Sequence, residues 1–297
     1  MKNKIFLTGA NGFIGRQVAY YLAENGYDVT AVVRQKKWQH KDIKFIKGDL
    51  FDIDQMGIKK DDFDEVIHMA AFVGMHEKHG RLFQGNYKLT EKLLDFFKGS
   101  GTFFIYFSSI DAFGPTDDKE VNENDYPSPV TDYGKAKLKT ENLVKKSGLD
   151  YIILRIGNVE GYEGGLLYGL KKIYLDKSLY SKIQQFIFKN IITDYELNVI
   201  LVEDISRLVD KIFKVKPTNQ LYFITNNRIK MGQIFGFPKS KFNFLLPLLI
   251  FVCKIISFLK LSHVICYITQ GGLDRKYRNY SNKKVISDLN MKFKNVL

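Results

Sequence analysis

Three glycines in one short turn constrain this chain more than any other feature. Gly9, Gly12 and Gly15 follow a short apolar run and precede a helical pattern, so the turn joins a strand to a helix. The first glycines permit a tight turn and close backbone approach to a ligand, and the last lets the helix pack on the strand. The N-terminus of that helix offers N–H groups and partial positive charge to phosphates. The turn therefore predicts a dinucleotide site, which takes in Asn11, Phe13 and Ile14.

Strand-like and helix-like segments alternate through the first half of the chain. The predicted strands are 4–7, 28–33, 44–46, 65–69, 102–107 and 151–155, and the predicted helices are 14–25, 86–98 and 133–146. This order is typical of βαβ units and predicts an α/β fold, a doubly wound parallel sheet with helices on both faces. The alternation fades after residue 157. We predict a nucleotide-binding domain over 1–157 and a smaller substrate-binding region over 158–297, some of which returns to the first domain.

The composition excludes several classes of protein. Hydrophobic residues make up 45% and charged residues 26%, which rules out a disordered or collagen-like chain. Two cysteines, Cys253 and Cys266, supply no disulfide framework and favour a reducing, cytoplasmic location. His76 and His79 have helical spacing but no third ligand nearby, so we predict no metal site. The 45 basic and 32 acidic residues give a net charge of +13, which predicts an anionic partner.

The end of the second strand bears on the choice of cofactor. An acidic residue there would bind the ribose 2′-hydroxyl of NAD, whereas an arginine accommodates the 2′-phosphate of NADP. The strand ends in Arg34, with no acidic residue at its tip. The segment from Arg34 to Lys47 has six basic residues and one acidic residue, which is 6 − 1 = +5. The sequence therefore favours NADP(H) over NAD(H), although a solvated lysine loop would have the same composition.

A tyrosine and a lysine have the spacing expected of an acid–base pair. Tyr133 and Lys137 stand at positions i and i+4 of a predicted helix, on one face. A neighbouring ammonium lowers the pKa of a phenol, which suits proton transfer between an alcohol and a carbonyl. Ser109 follows the strand that precedes this helix, and its hydroxyl can hold a substrate oxygen. Ser108 is the alternative for the serine role.

Taken together, the motifs resemble those of the extended short-chain dehydrogenase/reductase family, which contains the NAD-dependent epimerases and dehydratases. Besides the glycine turn, Ser109 and the Tyr133–Lys137 pair, the matching segments are Gly48-Asp49-Leu50, His68-Met69-Ala70-Ala71, Asn86 and 154–159. The resemblance implies a Rossmann fold with a smaller C-terminal substrate-binding subdomain. It implies that Asp49, followed by Leu50, contacts the adenine side of the cofactor, that Ala70 and Ala71 line its channel, and that Asn86 lies beside the active site.

The family resemblance also implies roles for the catalytic residues. Ser109, which alignment with the family on Phe113-Gly114 selects over Ser108, would hold the substrate oxygen. Tyr133 would transfer the proton, and Lys137 would lower the tyrosine pKa and hold the nicotinamide ribose. A homodimer is a further expectation by resemblance. The chain departs from the family pattern at Phe113 and Glu160, where tyrosine is usual, and we expect both changes to affect the substrate side.

Three functions stay open at this point. The first is a 4-epimerase or 4-keto reductase of a nucleotide-linked sugar, whose charge would suit the C-terminal excess of nine basic over two acidic residues from 250 to 297. The second is an NADPH-dependent reductase of an apolar carbonyl, such as a steroid-like, acyl or polyketide compound. The third is a regulator that binds NADP or RNA without catalysis, although the catalytic residues are present and no nucleic-acid motif is found.

The segment 242–261 is the only membrane candidate in the sequence. Its length approaches that of a bilayer span, but Pro247, Lys254 and Lys260 interrupt it. The spacing of its polar residues predicts an amphipathic helix. Such a helix lines the substrate pocket or rests on a membrane surface.

Overall fold

The computed structural model describes residues 3–71, 84–116, 119–162, 164–165, 196–230 and 279–295, with the single positions 168 and 182. In chain order the strands are β1 (Lys4–Thr8), β2 (Asp28–Val33), β3 (Ile43–Lys47), β4 (Glu65–His68), β5 (Phe103–Ser109), β6 (Glu120–Val121), β7 (Tyr151–Ile156), β8 (Asn158–Gly161), β9 (Gly164–Gly165), β10 (Glu196–Leu201), β11 (Gln220–Ile224), β12 (Asn227–Lys230) and β13 (Asn279–Tyr280). The α-helices are α1 (Phe13–Glu24), α2 (Leu89–Phe97), α3 (Asp132–Lys145), α4 (Val202–Val215) and α5 (Lys283–Leu289).

Seven parallel strands form the main sheet, in the order β11-β7-β5-β4-β1-β2-β3. The chain runs outward from β1 through β2 to β3, then crosses to β4 on the other side of β1. This reversal creates a crevice at the carboxyl ends of β1 and β4, which is where ligands bind in open α/β sheets. The predicted α/β Rossmann-type sheet is confirmed.

Alternate residues of each strand face opposite sides of the sheet and belong to two hydrophobic cores. Ile5 and Leu7 of β1 lie in one core, and Phe6 lies in the other. The first core is covered by α1, α4 and α5, and the second by α2 and α3. Strands buried on both faces need nearly continuous apolar sequence, and this explains the Ile, Val and Phe runs that made them recognisable.

Most predicted elements are present, with shifts of one or two residues at their ends. β5 extends through Ser109, so this serine is the last strand residue, whereas we predicted a strand that ends at Phe107. The helix predicted over 86–98 begins with a π-helical turn, Gln84–Lys88, before the α-helix starts at Leu89. β11, at 220–224, joins the edge of the main sheet beside β7 although it lies far along the chain.

Two smaller sheets lie beside the main one. Strands β12, β10, β8 and β9 form one, and β13 pairs with β6 in the other. Among the helices of the described residues, none has the length and apolar character needed to cross a bilayer. The segment 242–261, for which we predicted an amphipathic helix, lies outside the described residues.

Candidate functional site

Polar side chains interrupt the apolar strands at their carboxyl ends. Thr8 ends β1, His68 ends β4, Ser108 and Ser109 end β5, and Arg155 is the next-to-last residue of β7. All except Ser109 are buried. Because parallel strands place these ends along one edge of the sheet, the polar groups gather beside the β1–β4 crevice.

The glycine turn is packed so closely that side chains are excluded. Gly9 has φ of +82°, and a Cβ there would lie 2.7 Å from the backbone nitrogen of Ala70. A Cβ on Gly15 would lie 2.2 Å from the carbonyl oxygen of Gly9, so α1 begins directly against the turn. Gly12 caps α1 with no side-chain hydrogen bond, and the first turn contains no acidic residue. The backbone N–H groups at the N-terminus of α1 can therefore bind an anion.

A cavity of about 270 Å³ opens over this turn. Of the residues predicted to bind the cofactor, those that line it are Gly9, Asn11, Gly12, Arg34, Asp49, Leu50, Ala70 and Ala71. The cavity therefore collects residues that follow β1, β2, β3 and β4. It also has wall residues that we did not predict, and the most informative of these is Phe51.

Asp49 and Phe51 shape the end of the cavity next to β3. The Asp49 side chain accepts a hydrogen bond from the Phe51 backbone N–H at 3.1 Å and caps a 3₁₀ helix over Leu50–Gln55. The Phe51 side chain is 45% exposed although it is large and apolar. An exposed ring in a cavity wall offers a stacking surface to a planar base. Its position two residues after Asp49 was the available sequence signal.

Other predicted cofactor residues are not among those that line the cavity. The Phe13 ring packs on the sheet formed by β12, β10, β8 and β9, where a Cβ on Gly164 would lie 2.5 Å from the ring. Ile14 packs against the hydrophobic core, and Gly15 is buried where α1 meets the turn. Asn86 is 2% exposed, in the π-helical turn before α2. Their proposed contacts with a cofactor stay predictions.

His68 ties the cavity floor to α2 through two hydroxyl groups. Its Nδ1 lies 2.8 Å from Thr8 Oγ1, and its Nε2 lies 2.9 Å from Thr90 Oγ1. Thr90 Oγ1 donates to the Asn86 carbonyl oxygen, so Nε2–H must donate to Thr90, and Nδ1 accepts from Thr8. Thr8 Oγ1 also accepts from the backbone N–H groups of Met69 and Ala70, at 3.2 Å each.

This arrangement requires a neutral imidazole. Burial, with a smaller contribution from the Lys137 charge, lowers the pKa of His68 to about 3. The histidine therefore positions the backbone of the cavity floor and does not serve as an acid or base near neutrality.

The tyrosine helix packs directly on the turn that follows Ser109. A Cβ on Gly134 would lie 2.1 Å from the Asp111 carbonyl oxygen, so only glycine fits between Tyr133 and the rest of α3. Ser109 Oγ accepts from the Asp111 backbone N–H at 3.2 Å and caps the 3₁₀ turn Ile110–Ala112. Ser109 and Tyr133 are both half-buried. The serine strand and the tyrosine helix thus meet through the backbone of Asp111.

Lys137 lies one helical turn beyond Tyr133 and is buried. Its Nζ donates to the Phe107 carbonyl oxygen at 2.8 Å and lies 5.8 Å from the centre of the Tyr133 ring. Burial lowers the pKa of Lys137 to about 7, and the nearby Glu141 carboxylate acts in the opposite direction. An ammonium at this position stabilises a Tyr133 phenolate, and its protonation state is sensitive to its surroundings near neutral pH.

A buried ion pair distinguishes the two candidate serines. Ser108 Oγ donates to Glu141 Oε1 at 2.6 Å, and Glu141 also binds Arg155. Ser108 therefore faces into the interior, while Ser109 is half-buried at the end of the strand. This supports Ser109 for the substrate-binding role. Glu141 was missed in the sequence, although its i+4 spacing from Lys137 was a usable signal.

The expectation that Phe113 affects the substrate side is not supported. Its ring is 3% exposed and packs edge-on against Phe223 and Tyr280, at centroid distances of 5.5 and 5.9 Å. The Arg155 guanidinium lies 5.6 Å from its centre. Phe113 is therefore part of an interior aromatic cluster. Glu160 is also buried, with 4% exposure, in β8.

Within the part of the chain that the structure describes, no group of three or more His, Cys, Asp or Glu side chains is placed to hold a metal ion. His76 and His79 lie outside the described residues. For the chain as a whole, the absence of a metal site therefore stays a prediction.

The fold and the site define a Rossmann-type dinucleotide-binding protein. A family model, the NAD dependent epimerase/dehydratase family, matches residues 5–181. The chain belongs to that family.

Three comparisons illustrate the similarity. UDP-glucose 4-epimerase of Streptococcus mutans is 32% identical over 173 residues, which cover 53% of this chain and 52% of that protein. The dTDP-6-deoxy-L-talose 4-dehydrogenase (NAD(P)(+)) of Kitasatospora kifunensis is 27% identical over 188 residues, which cover 58% of each. The chain spans about half the length of these curated relatives. The terminal R domain of the myxalamid PKS-NRPS pathway has a TM-score of 0.79 at 17% identity, covering 99% of this chain and 87% of that domain, and shows the fold alone.

Proposed function

We propose that this protein is an NADP(H)-dependent enzyme that interconverts an alcohol and a carbonyl at C4 of a nucleotide-linked sugar, as a 4-epimerase or a 4-keto reductase. The observation that carries the proposal is the meeting of the Ser109 strand end with the Tyr133 helix through Asp111. Ser109 ends β5, which pairs with β4, and the residues that follow β4 line the nucleotide cavity. The resemblance to UDP-glucose 4-epimerases and to a dTDP-sugar 4-dehydrogenase supports the substrate class.

The cavity residues suit a nicotinamide dinucleotide. The glycine backbone and the uncapped N-terminus of α1 would hold the pyrophosphate, and Asp49 with Phe51 would hold the adenine. When bound, the nicotinamide supplies the hydride donor or acceptor. The protein contributes the position and the proton chemistry.

Arg34 supports a 2′-phosphorylated cofactor. It lines the cavity directly after β2, where an acidic residue would bind a free 2′-hydroxyl. Among the described residues that line the cavity, the acidic side chain is that of Asp49, which follows β3 and accepts a hydrogen bond from the Phe51 backbone. Lys36 adds positive charge within the same exposed loop. A guanidinium binds phosphate through paired hydrogen bonds, so it favours NADP(H) over NAD(H).

Three side chains carry the proton transfer in this proposal. Ser109 Oγ donates a hydrogen bond to the substrate oxygen at C4 and steadies it. Tyr133 takes the hydroxyl proton when the alcohol is oxidised and returns a proton when the carbonyl is reduced. The Lys137 ammonium lowers the pKa of Tyr133 and thereby increases the phenolate fraction near neutral pH.

A substrate panel tests the proposal. The purified chain is incubated with UDP-glucose and NADP⁺, with a nucleotide-linked 4-keto sugar and NADPH, and with cyclohexanone and NADPH as an apolar control. Formation of UDP-galactose, or NADPH oxidation with the keto sugar, supports the proposed substrate class. Turnover restricted to the apolar ketone would transfer the assignment to an apolar carbonyl reductase. Salt-dependent RNA binding without turnover of any substrate would instead indicate a regulator.

A further inference from the structure

Trp38 joins the loop after β2 to the glycine turn. Its indole Nε1 donates to the Ala10 carbonyl oxygen at 3.1 Å. A second hydrogen bond runs the other way, from Asn11 Nδ2 to the Gln35 carbonyl oxygen at 2.8 Å. Ala10 and Asn11 both line the nucleotide cavity. The loop and the turn are therefore held together at two points on the cavity edge.

The Trp38 ring is anchored from two other elements. Its centre lies 4.9 Å from the Tyr20 ring of α1 and 4.7 Å from the Phe45 ring of β3, which it meets at 88°. Trp38 is half-buried, whereas every residue of the segment 34–37 is exposed. The loop from 34 to 42 contains no glycine or proline. Its order therefore depends on these side-chain contacts more than on turn residues.

We infer that Trp38 is a positioning residue for cofactor selectivity, because it fixes the segment 34–37 at the edge of the cavity. Arg34 and Lys36 then meet a 2′-phosphate without first ordering the loop. Ordering long cationic side chains and their backbone on binding reduces affinity, and an anchored loop avoids much of that cost. The inference rests on the proposed preference for NADP(H), and it adds that the preference depends on a residue with no phosphate contact of its own.

Direct binding measurements test this role without enzymatic turnover. Trp38→Phe removes the indole donor and keeps an aromatic ring, and Tyr20→Phe is the matched control because it changes the same cluster and leaves the indole hydrogen bond in place. Dissociation constants for NADPH and NADH are measured by nicotinamide fluorescence. Loss of one hydrogen bond that positions the loop should weaken NADPH binding by roughly fivefold in Trp38→Phe. The dissociation constant for NADH in Trp38→Phe should change by less than about twofold. The dissociation constants for both cofactors in Tyr20→Phe should also change by less than about twofold.

Equal weakening for both cofactors in Trp38→Phe, or no weakening, overturns the inference. Arg34→Ala separates this result from failure of the cofactor assignment. Suppose that the wild type prefers NADPH, that Arg34→Ala loses this preference and that Trp38→Phe keeps it. The cofactor proposal then stands, and the role inferred for Trp38 is overturned. If the wild type has no preference for NADPH, the cofactor proposal itself fails.

A wild-type measurement covers the case in which Trp38→Phe does not fold. Trp38 is the single tryptophan of the chain, so its fluorescence reports on this loop alone. Because the loop is already anchored, acrylamide should quench Trp38 no more in the ligand-free protein than in its complex with adenosine 2′,5′-bisphosphate. A marked fall in quenching when this nucleotide binds would show that the ligand orders the loop, and it would overturn the inference.

Discussion

Arg155 and Glu141 form a two-pronged ion pair beneath the strand that ends in Ser109. Arg155 Nη2 donates to Glu141 Oε2 at 2.7 Å, and Arg155 Nε donates to Oε1 at 3.0 Å. Both side chains are almost fully buried, and the guanidinium lies 5.6 Å from the centre of the Phe113 ring and 5.4 Å from that of Phe223. Since Ser108 also binds Glu141, this pair links β5, β7 and α3 directly behind the proposed catalytic residues.

We expect Glu141→Gln to destabilise the protein by about 3–5 kcal/mol, because it leaves the Arg155 charge buried without a counter-charge. Urea unfolding measures the change. Glu120→Gln is the control, since its ion pair with Lys283 is exposed and its loss should have little effect. Replacing both partners, as Glu141→Leu with Arg155→Met, should recover much of the lost stability. A single variant as stable as the wild type would contradict the role assigned to the pair.

Tyr133→Phe should reduce turnover by about 10²–10⁴-fold, because the ring stays in place and the proton donor is removed. Its affinity for the cofactor should stay within about twofold of the wild type. Steady-state kinetics and nicotinamide fluorescence measure the two effects. Tyr126→Phe is the matched control, because Tyr126 is 95% exposed. Near-normal turnover in Tyr133→Phe would exclude this tyrosine as the acid–base residue.

Lys137→Met should abolish turnover and yet stabilise the protein at pH 7, by roughly 2–4 kcal/mol. The folded pKa of Lys137, about 7, lies below its ordinary value of 10.5, so the unfolded chain binds the proton more tightly. The wild type therefore gains stability from this group as the pH rises from about 7 toward 10.5, and the advantage of the variant shrinks over that interval. Denaturant unfolding at pH 7 and pH 9 measures this. If Lys137→Met is no more stable than the wild type at pH 7, or if its extra stability grows with pH, the Lys137 ammonium does not destabilise the folded protein.

Glu65 gives the opposite pH dependence at the other end of the sheet. Burial raises the pKa of its carboxyl group to about 7, from 4.5, and Lys216 only partly opposes this. Its Oε1 accepts from Asn3 Nδ2 at 2.9 Å, whereas Oε2 has no partner among the described residues.

Because the folded state binds this proton more tightly, the contribution of Glu65 to stability is full below about pH 4.5 and is lost as the pH rises through 7. We expect Glu65→Gln to be more stable than the wild type at pH 8, by roughly 1–2 kcal/mol, and the difference to vanish near pH 4.5. Paired unfolding curves at the two pH values test this. Asp61→Asn, at an exposed position, controls for a general effect of lost negative charge. A constant difference at both values would show that titration of Glu65 is not its cause.

Local patterns were enough to predict the glycine turn and Arg34 in the nucleotide half of the site. Gly9 and Gly12 were recognisable because a strand, a tight turn and a helix follow one another within fifteen residues, and the backbone conformation of such a unit depends on near neighbours. Arg34 was placed by the same logic, since it follows a parallel strand and such strand ends share one edge of the sheet, whereas Asp49 and Ala70 were implied by the family resemblance. All three line one cavity.

Contacts between residues distant in sequence were decided only by the tertiary structure. The family resemblance had selected Ser109 over Ser108, but the burial of Ser108 depends on Glu141, 33 positions away, and on Arg155 beyond it. Trp38 reaches Ala10 across 28 positions, and β11 joins β7 from far along the chain. Periodicity shows which faces are apolar, but it does not show which buried polar groups pair with each other. Pairing depends on how the sheet and helices pack, because a buried charge or donor is tolerated only where another element supplies its partner.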